Sequence, residues 1–208
     1  MSGPLVAVLD YGIGNLRSAQ KALESVGADA RLTDDPDVVS QADGVVLPGV
    51  GAFGRGVGAR EATGLAEVAA GAARAAVAGG RPFLGICVGL QLLYEGSAEA
   101  PHHRGLGVLD GEVGLLAGDV KRPQMQWNRL DHIEDHPLLA GLTQESWTYF
   151  VHSYAAPVGP NTVATCRYGS EVCAAVDSGN LSACQFKPEK TGRVGLQLLA
   201  NFALLPVL

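Results

Sequence analysis

The amino-acid sequence predicts an α/β fold: a mostly parallel sheet flanked by helices, with antiparallel strands added in the C-terminal half. In the first half, short apolar runs alternate with segments of helical periodicity, the pattern of a parallel sheet. From about residue 105, short apolar runs follow one another with turns and no helix between them. The 208 residues are 47% hydrophobic and 17% charged, without a linker-like stretch or internal repeat. Residues 1–208 are therefore predicted to form a single domain.

The first half contains four strand predictions, each followed by a helix prediction. The strands are LVAVLD (5–10), ADARLT (28–33), GVVLPGVG (44–51) and RPFLGICVG (81–89). The helices are NLRSAQKALESVGA (15–28), DPDVVSQA (35–42), EATGLAEVAAGAARAAVAGG (61–80) and one opening at LQLLYEG (90–96). Gly27 is the expected C-cap of the first helix, and Pro36 is placed near the start of the second.

The second half is predicted to be mainly antiparallel. Its strand candidates are EVGLL (112–116), WNRLD (127–131), WTYFVHSYAAP (147–157), TVATCRY (162–168), VCAAVD (172–177) and LSACQF (181–186). An amphipathic helix, GRVGLQLLANFALL (192–205), is predicted to close the fold.

Charge and motif content exclude several functions. The net charge of −6, without a Lys/Arg cluster, argues against nucleic-acid binding. Without a basic signal region or a bilayer-length apolar run, the protein is expected to be cytoplasmic. Its four cysteines lack C-x-x-C spacing, which predicts free thiols and no metal. Gly12 and Gly14 begin a dinucleotide-like pattern, but Arg17 stands where the third glycine is needed, so we expect no cofactor.

The segment FLGICVGLQ predicts a nucleophile. It has the form G-x-Cys-x-G between a strand and a helix, and Gly85 and Gly89 allow the tight turn that exposes a nucleophile at Cys87. Backbone N–H groups and the helix dipole at such a turn stabilise a thiolate. A second glycine loop, LPGVGAFG (47–54), is placed to supply N–H groups, together with Val88, to a developing oxyanion. The alternative is a small-residue turn around a buried cysteine.

A cysteine nucleophile is usually paired with a histidine base that a carboxylate orients. Four of the five histidines, His102, His103, His132 and His136, lie in loop-like polar stretches. His152 has a strand position, where a structural role is expected. The segment suited to the base is QF-x-PE, and its central residue is Lys187.

These motifs, in order along residues 10–202, resemble a known family. DYGIGNLRS, LPGVGAFG, PFLGICVGLQLLYEGS, GLGVLDGEV, PQMQWN, YFVHSY, AAVDSGNLSACQFKPEKTG and GLQLLANF are similar to class I triad glutamine amidotransferases. More closely, they resemble the glutaminase subunits of imidazole glycerol phosphate synthase, which act in histidine biosynthesis. The resemblance implies a flavodoxin-like fold and a heterodimer with a (β/α)8-barrel cyclase. That cyclase uses channelled ammonia to make imidazole glycerol phosphate and AICAR.

The resemblance also implies roles for particular residues. Cys87 would attack the side-chain amide of glutamine, and Glu189 would orient the base at Lys187. Gly49, Val50, Gly51, Gln91, Ser153 and Tyr154 would bind the substrate, with Val50, Gly51 and Val88 as oxyanion donors. Lys190, Asn15, Gln126 and Trp127 would lie at the partner interface.

The sequence departs from the family pattern at four positions. Lys187 stands where the family has histidine, Thr191 where it has serine, Gln126 where it has glycine, and Arg122 where it has a small apolar residue. Gln126 is expected to crowd the nearby pocket or interface. A lysine side chain ordinarily titrates near pH 10.4 and histidine near 6.5, so a lysine here is predicted to be a poor proton carrier at neutral pH.

Three alternatives follow from these departures. A desolvated, neutral Lys187 would still serve as the base. A pseudo-glutaminase would only bind and stabilise the cyclase. Finally, the same scaffold would suit an amidotransferase for another acceptor, or a cysteine hydrolase of this fold.

Overall fold

The computed structural model describes residues 3–13 and 15–205, so the predicted glycine at position 14 lies outside the described residues. Its strands are β1 Leu5–Leu9, β2 Asp29–Thr33, β3 Gly44–Gly49, β4 Phe83–Cys87, β5 Gly96–Ser97, β6 Glu112–Leu115, β7 Gln124–Arg129, β8 His132–Ile133, β9 Trp147–His152, β10 Tyr154–Ala155, β11 Thr162–Tyr168, β12 Ser170–Ser178 and β13 Leu181–Cys184. Its helices are α1 Leu16–Ser25, α2 Pro36–Gln41, α3 Phe53–Ala62, α4 Leu65–Val77, α5 Val88–Gln91 and α6 Gly192–Ala203. Single 3₁₀ turns cover Pro137–Leu139 and Pro188–Lys190.

The main sheet has the strand order β2-β1-β3-β4-β13-β12-β11-β8. The first five strands are parallel, and β12, β11 and β8 continue the sheet with antiparallel pairings. The chain moves outward from β1 to β2 and then back to β3, so right-handed crossovers place α1 and α2 on opposite faces. Accordingly, α1 packs with α6, whereas α4 packs with α2 and α3. The predicted α/β class is confirmed.

The carboxyl ends of three neighbouring parallel strands meet at one edge of this sheet. Gly49 of β3 is paired with Cys87 of β4, and Ile86 is paired with Cys184 of β13. This arrangement brings the glycine loop after β3, the turn after β4 and the segment after β13 together. In parallel α/β sheets, ligands bind at this edge.

A separate two-stranded antiparallel sheet pairs β7 with β9 over their full lengths, from Gln124 opposite His152 to Arg129 opposite Trp147. One of its faces shows exposed Met125, Trp127 and Trp147. The third sheet, β10-β6-β5, is small.

Four predictions of elements are corrected. One helix over 61–80 is wrong, because Gly64 takes a left-handed conformation (φ 73°) that separates α3 from α4. The helix expected at 90–96 is one turn that begins earlier, at Val88. LSACQF, predicted among antiparallel strands, forms β13, which is parallel to β4 and antiparallel to β12. His132, predicted in a loop, begins β8.

All four cysteines are free thiols, as predicted, and all four are buried, including Cys87. Among the described residues, no helix is long and apolar enough to cross a membrane. In the same part of the chain, no cluster of three or more His, Cys, Asp or Glu residues is arranged to hold a metal.

Candidate active site

Cys87 occupies the sharp turn between β4 and α5. Its backbone has φ 56° and ψ −108°, and among the described residues no other non-glycine residue has a positive φ. Such a conformation costs about 1–3 kcal/mol, and it persists only where the surrounding structure enforces it. The structure therefore has the tight strand-to-helix turn predicted from G-x-Cys-x-G, a geometry that presents the nucleophile in other enzymes.

Two glycines explain how the turn is enforced. A Cβ on Gly89 would lie 1.9 Å from the carbonyl oxygen of Leu47, and a Cβ on Gly49 would lie 2.5 Å from the backbone nitrogen of Gly89. Real Cβ atoms do not approach backbone so closely. The end of β3 therefore packs directly against the turn that bears Cys87, and this contact requires glycine on both sides.

Lys187 is held beside Cys87 by its own backbone. Its N–H donates to the carbonyl of Tyr149 in β9 (3.0 Å), and its carbonyl accepts from the Thr191 hydroxyl (2.7 Å). The same hydroxyl accepts from the N–H of Tyr149 (3.2 Å), so Thr191 ties the backbone of Lys187 to β9. These contacts fix the backbone of Lys187, whose side chain lines the same cavity as Cys87.

Lys187 and Glu189 form a buried ion pair. The Lys187 Nζ atom lies 3.9 Å from Glu189 Oε1, and the two side chains are only 9% and 4% exposed. Glu189 Oε2 is buried and has no hydrogen-bond partner among the described residues. Burial raises the pKa of the Glu189 carboxyl, and the charge of Lys187 opposes that rise.

Burial also raises the pKa of the Cys87 thiol. The charge of Lys187 acts in the opposite direction and favours the thiolate, whereas Glu189 disfavours it. A charged Lys187 therefore helps to ionise Cys87.

A cavity of about 370 Å³ opens onto Cys87. Eight predicted site residues line it: Val50, Gly51, Cys87, Val88, Gln91, Ser153, Tyr154 and Lys187. Gly49 and Glu189 are adjacent to this lining, through the pairing of Gly49 with Cys87 and the ion pair of Glu189 with Lys187. The structure thus brings the predicted catalytic and substrate-binding residues together.

Gln91 is held by contacts within the protein. Its Nε2 donates to the carbonyl of Tyr154 (2.9 Å) and to Oε1 of Gln185 (3.0 Å). Both amide hydrogens of Gln91 are used in these bonds, so a contact with a ligand has to come from its Oε1 atom.

The sequence reasoning missed two polar residues of the lining, Glu99 and His152, as well as Pro123 and Val151. Glu99 Oε2 accepts from the N–H of Phe53 (2.7 Å) at the start of α3, while its side chain also borders the cavity. It follows β5 in a segment without periodicity, where the sequence offers no signal for it.

His152 was predicted to be a satisfied structural histidine, and it is satisfied at one nitrogen. Its Nδ1 bonds the carbonyl of Tyr154 (2.8 Å), whereas its buried Nε2 has no hydrogen-bond partner among the described residues. Burial lowers the pKa of His152 to about 4, so the ring is neutral at pH 7. Because Nδ1 faces a carbonyl, it has the proton, and Nε2 presents a lone pair.

The four residues predicted at a partner interface are all exposed: Asn15, Gln126, Trp127 and Lys190. Helix α1 and strand β9 both contact the 188–190 turn that includes Lys190. Gln126 and Trp127 are consecutive on β7, so their side chains leave from opposite faces of the strand. Trp127 shares its face with Tyr149, against which its ring packs edge-on (5.7 Å between centroids).

Gln126 and Arg122 do not line the cavity that opens onto Cys87. The Arg122 guanidinium instead donates to the carbonyls of Leu116 (2.8 Å from Nε) and Gly118 (2.7 Å from Nη2), which secures the loop before β7. Crowding of this cavity by Gln126 is therefore not observed.

Comparison with known proteins defines the class to which this fold and site belong. The family model described as glutamine amidotransferase class-I matches residues 7–205, and the chain belongs to this family. Within it, the chain is 47% identical over 207 residues to the imidazole glycerol phosphate synthase subunit HisH of Syntrophotalea carbinolica, with 95% of this chain and 98% of that protein covered. It is 46% identical over 199 residues to HisH of Methanothermobacter thermautotrophicus, with coverages of 95% and 97%.

Solved structures share the fold at lower identity. A glutamine amidotransferase superposes with a TM-score of 0.71 at 20% identity, covering 96% of this chain and 99% of that chain. PurLQS from Thermotoga maritima gives a TM-score of 0.69 at 22% identity, with coverages of 96% and 97%.

Proposed function

We propose that this chain is the glutaminase subunit of an imidazole glycerol phosphate synthase, a single-domain cytoplasmic protein that supplies ammonia to a (β/α)8-barrel cyclase. The strongest support is Cys87, held in a strained turn at a cavity beside the Lys187–Glu189 pair. Identity of 47% to a HisH subunit over 95% of the chain supports the histidine pathway over another acceptor.

In the proposed reaction, the Cys87 sulfur forms a bond to the side-chain carbonyl carbon of glutamine. The carbon–nitrogen bond then breaks, ammonia leaves with an added proton, and water hydrolyses the thioester to glutamate. Charge develops on the carbonyl oxygen, and Val50, Gly51 and Val88, the proposed N–H donors to that oxygen, line the cavity.

The cavity also suits the amino-acid end of glutamine. Glu99 adds a carboxylate to the lining, complementary to the substrate ammonium group. Gln91 offers Oε1 to a donor, and the backbone of Ser153 and Tyr154 completes the pocket.

Lys187 makes the chain a weak glutaminase in this proposal. The reaction needs a group that takes a proton from the thiol and returns one to the departing ammonia. The Lys187 side chain lies beside Glu189 and its charge favours the Cys87 thiolate, but an amine is ordinarily a poorer proton carrier at neutral pH than an imidazole. General acid–base help contributes typically about 10²–10⁴ in rate, which is the deficit we expect.

The exposed face of the β7–β9 sheet is the proposed cyclase contact. Trp127 is 46% exposed and Trp147 is 52% exposed, with the Arg129 guanidinium 5.7 Å from the Trp147 ring centre. Aromatic and arginine side chains dominate the energetics of protein interfaces. Lys190 belongs to the 188–190 turn, which contacts both β9 and α1, and Asn15 directly precedes α1.

A direct test mixes the chain with the cyclase subunit from the same organism and its nucleotide substrate. Product formation is measured with ammonium chloride and, separately, with glutamine. We expect the two subunits to form a complex that makes product from ammonium. With glutamine, the complex of the unaltered chain should make product about 10²–10⁴ times more slowly than the complex of the Lys187→His variant. Failure of the two subunits to associate would refute the proposal.

A second candidate, favoured by the same buried Lys187–Glu189 pair, is a pseudo-glutaminase that only stabilises the cyclase. It predicts that the complex of the unaltered chain makes no glutamate even in long incubations, and that Lys187→His restores glutamate release. The intact turn at Cys87 favours the first candidate, because a binding subunit needs no strained cysteine.

A further inference from the structure

We propose that Gln185 is a further catalytic residue, whose side-chain amide donates a hydrogen bond to the Cys87 sulfur and stabilises the thiolate, a role that rests on Cys87 being the nucleophile of the proposed function. Gln185 is fully buried (0% exposed) just after β13, the strand that neighbours β4. Its Nε2 lies 3.8 Å from Cys87 Sγ, within hydrogen-bond reach of sulfur.

The orientation of this amide is fixed by a chain of contacts that begins at a backbone carbonyl. The carbonyl of Tyr154 can only accept, so the Gln91 group that faces it must be Nε2. That same Nε2 also contacts Gln185 and therefore needs an acceptor there, which is Oε1. With its oxygen turned to Gln91, Gln185 presents its NH₂ group to Cys87.

Gln185 itself has little freedom to turn away. Its backbone N–H donates to the carbonyl of Ala174 in β12 (2.9 Å), and its neighbour Phe186 is fully buried against Phe150. A buried donor held in place needs no reorganisation when the sulfur becomes charged.

The thiolate needs such donors because burial disfavours its charge. The titratable groups around Cys87 are Lys187 and Glu189, which have opposing effects on its ionisation, Tyr11 after β1, Cys184 on β13, and Glu99 and His152 in the cavity lining. Gln185 is a neutral donor, so its hydrogen bond favours the thiolate at every pH. It also gives Gln91 a second role, as the residue that orients Gln185.

The test measures the rate of Cys87 alkylation by iodoacetamide against pH in the full chain, followed by mass spectrometry of the Cys87 peptide. Gln185→Met keeps the length of the side chain and removes the donor. Loss of a hydrogen bond to the charged sulfur disfavours the thiolate. We therefore expect the midpoint of the pH profile of the alkylation rate to move up by about one pH unit, with alkylation about tenfold slower below it.

The matched control is Gln197→Met, the same change at an exposed glutamine of α6 that bonds only Asn201 Oδ1 among the described residues. The midpoint of its alkylation-rate pH profile should equal that of the parent chain. Gln91→Met removes the group that orients Gln185, and it should move the midpoint upward by less than Gln185→Met does. Circular dichroism checks the fold of each variant.

A midpoint for folded Gln185→Met equal to that of Gln197→Met would overturn the role of Gln185. If Gln185→Met does not fold, Gln91→Met decides, and an unchanged midpoint there overturns the proposal. The assay contains no glutamine and no cyclase. A shifted midpoint in a chain that never releases glutamate would therefore refute the proposed function and leave the Gln185–Cys87 contact standing.

Discussion

Replacement of Lys187 by histidine should convert this chain into an efficient glutaminase. In the chain as it stands, the Lys187 ammonium lies 3.9 Å from Glu189 Oε1 with both side chains buried. At an effective dielectric constant of 20, the attraction between two unit charges at this distance is about 4 kcal/mol, before the opposing cost of burying both charges. Lys187 has to give up that attraction each time it releases a proton. An imidazole at the same place titrates near neutral pH, so it can both take the thiol proton and return one to ammonia.

The assay is glutamate release from saturating glutamine by the complex with the cyclase and its nucleotide ligand. We expect Lys187→His to raise kcat by about 10²–10⁴. Below pH 6.5 the imidazole would be protonated and unable to act as base, so the rate should rise with pH through that region. Lys187→Met, which has neither charge nor base, should remain slow.

The control is Lys21→His, the same exchange at an exposed lysine of α1, which should leave the rate unchanged. A parent rate within tenfold of the Lys187→His rate would show that Lys187 already transfers protons, and the charge argument would be wrong.

Three further predictions concern the turn, the histidine and the interface. Gly89→Ala should destabilise the fold by about 3 kcal/mol or more in urea denaturation, because its Cβ would meet the Leu47 carbonyl at 1.9 Å, whereas Gly58→Ala in the open part of α3 should stabilise it by about 0.5–1 kcal/mol; equal effects would refute the close packing. His152 has a folded-state pKa of about 4, below the unfolded value of about 6.5, so its contribution to stability is present above pH 6.5 and is lost as pH falls toward 4. His152→Gln should therefore remove about 2 kcal/mol of the difference in unfolding free energy between pH 7 and pH 5, and an unchanged difference would contradict this. Trp127→Ala should weaken cyclase binding about 30-fold in calorimetry, whereas Leu204→Ala, exposed at the end of α6, should have no effect; equal losses would place the interface elsewhere.

Much of the candidate site could be predicted because the residues that form its central turn are neighbours in the sequence. The tight turn at Cys87 needs small residues on either side, and GICVG shows them directly. The fold was predictable for a similar reason, since strands buried on both faces are continuous apolar runs. Helix α3 was not, because FGRGVGAREA contains three glycines that lower its helix propensity. Packing explains its formation: a Cβ on Gly56 would already contact Leu92 at 3.4 Å, so the helix lies close against the chain after α5.

The residues that were missed act over long sequence separations. Glu99 reaches the cavity from a turn after β5, and His152 reaches it from the β7–β9 sheet, so neither has a local pattern. Gln185 resembles any buried polar residue at a strand end until β13 is placed beside β4. Its contact with Cys87 spans 98 residues and depends on that pairing.

The most direct test of the central claim, that Cys87 is the nucleophile of a glutamine site, is labelling with a chloroketone analogue of glutamine, read by peptide mass spectrometry. The account predicts a single label on Cys87, lost in Cys87→Ser and slowed by excess glutamine, with Cys166, Cys173 and Cys184 unmodified because they are buried away from the cavity. Labelling of another cysteine first, or labelling of Cys87 that glutamine does not slow, would contradict it.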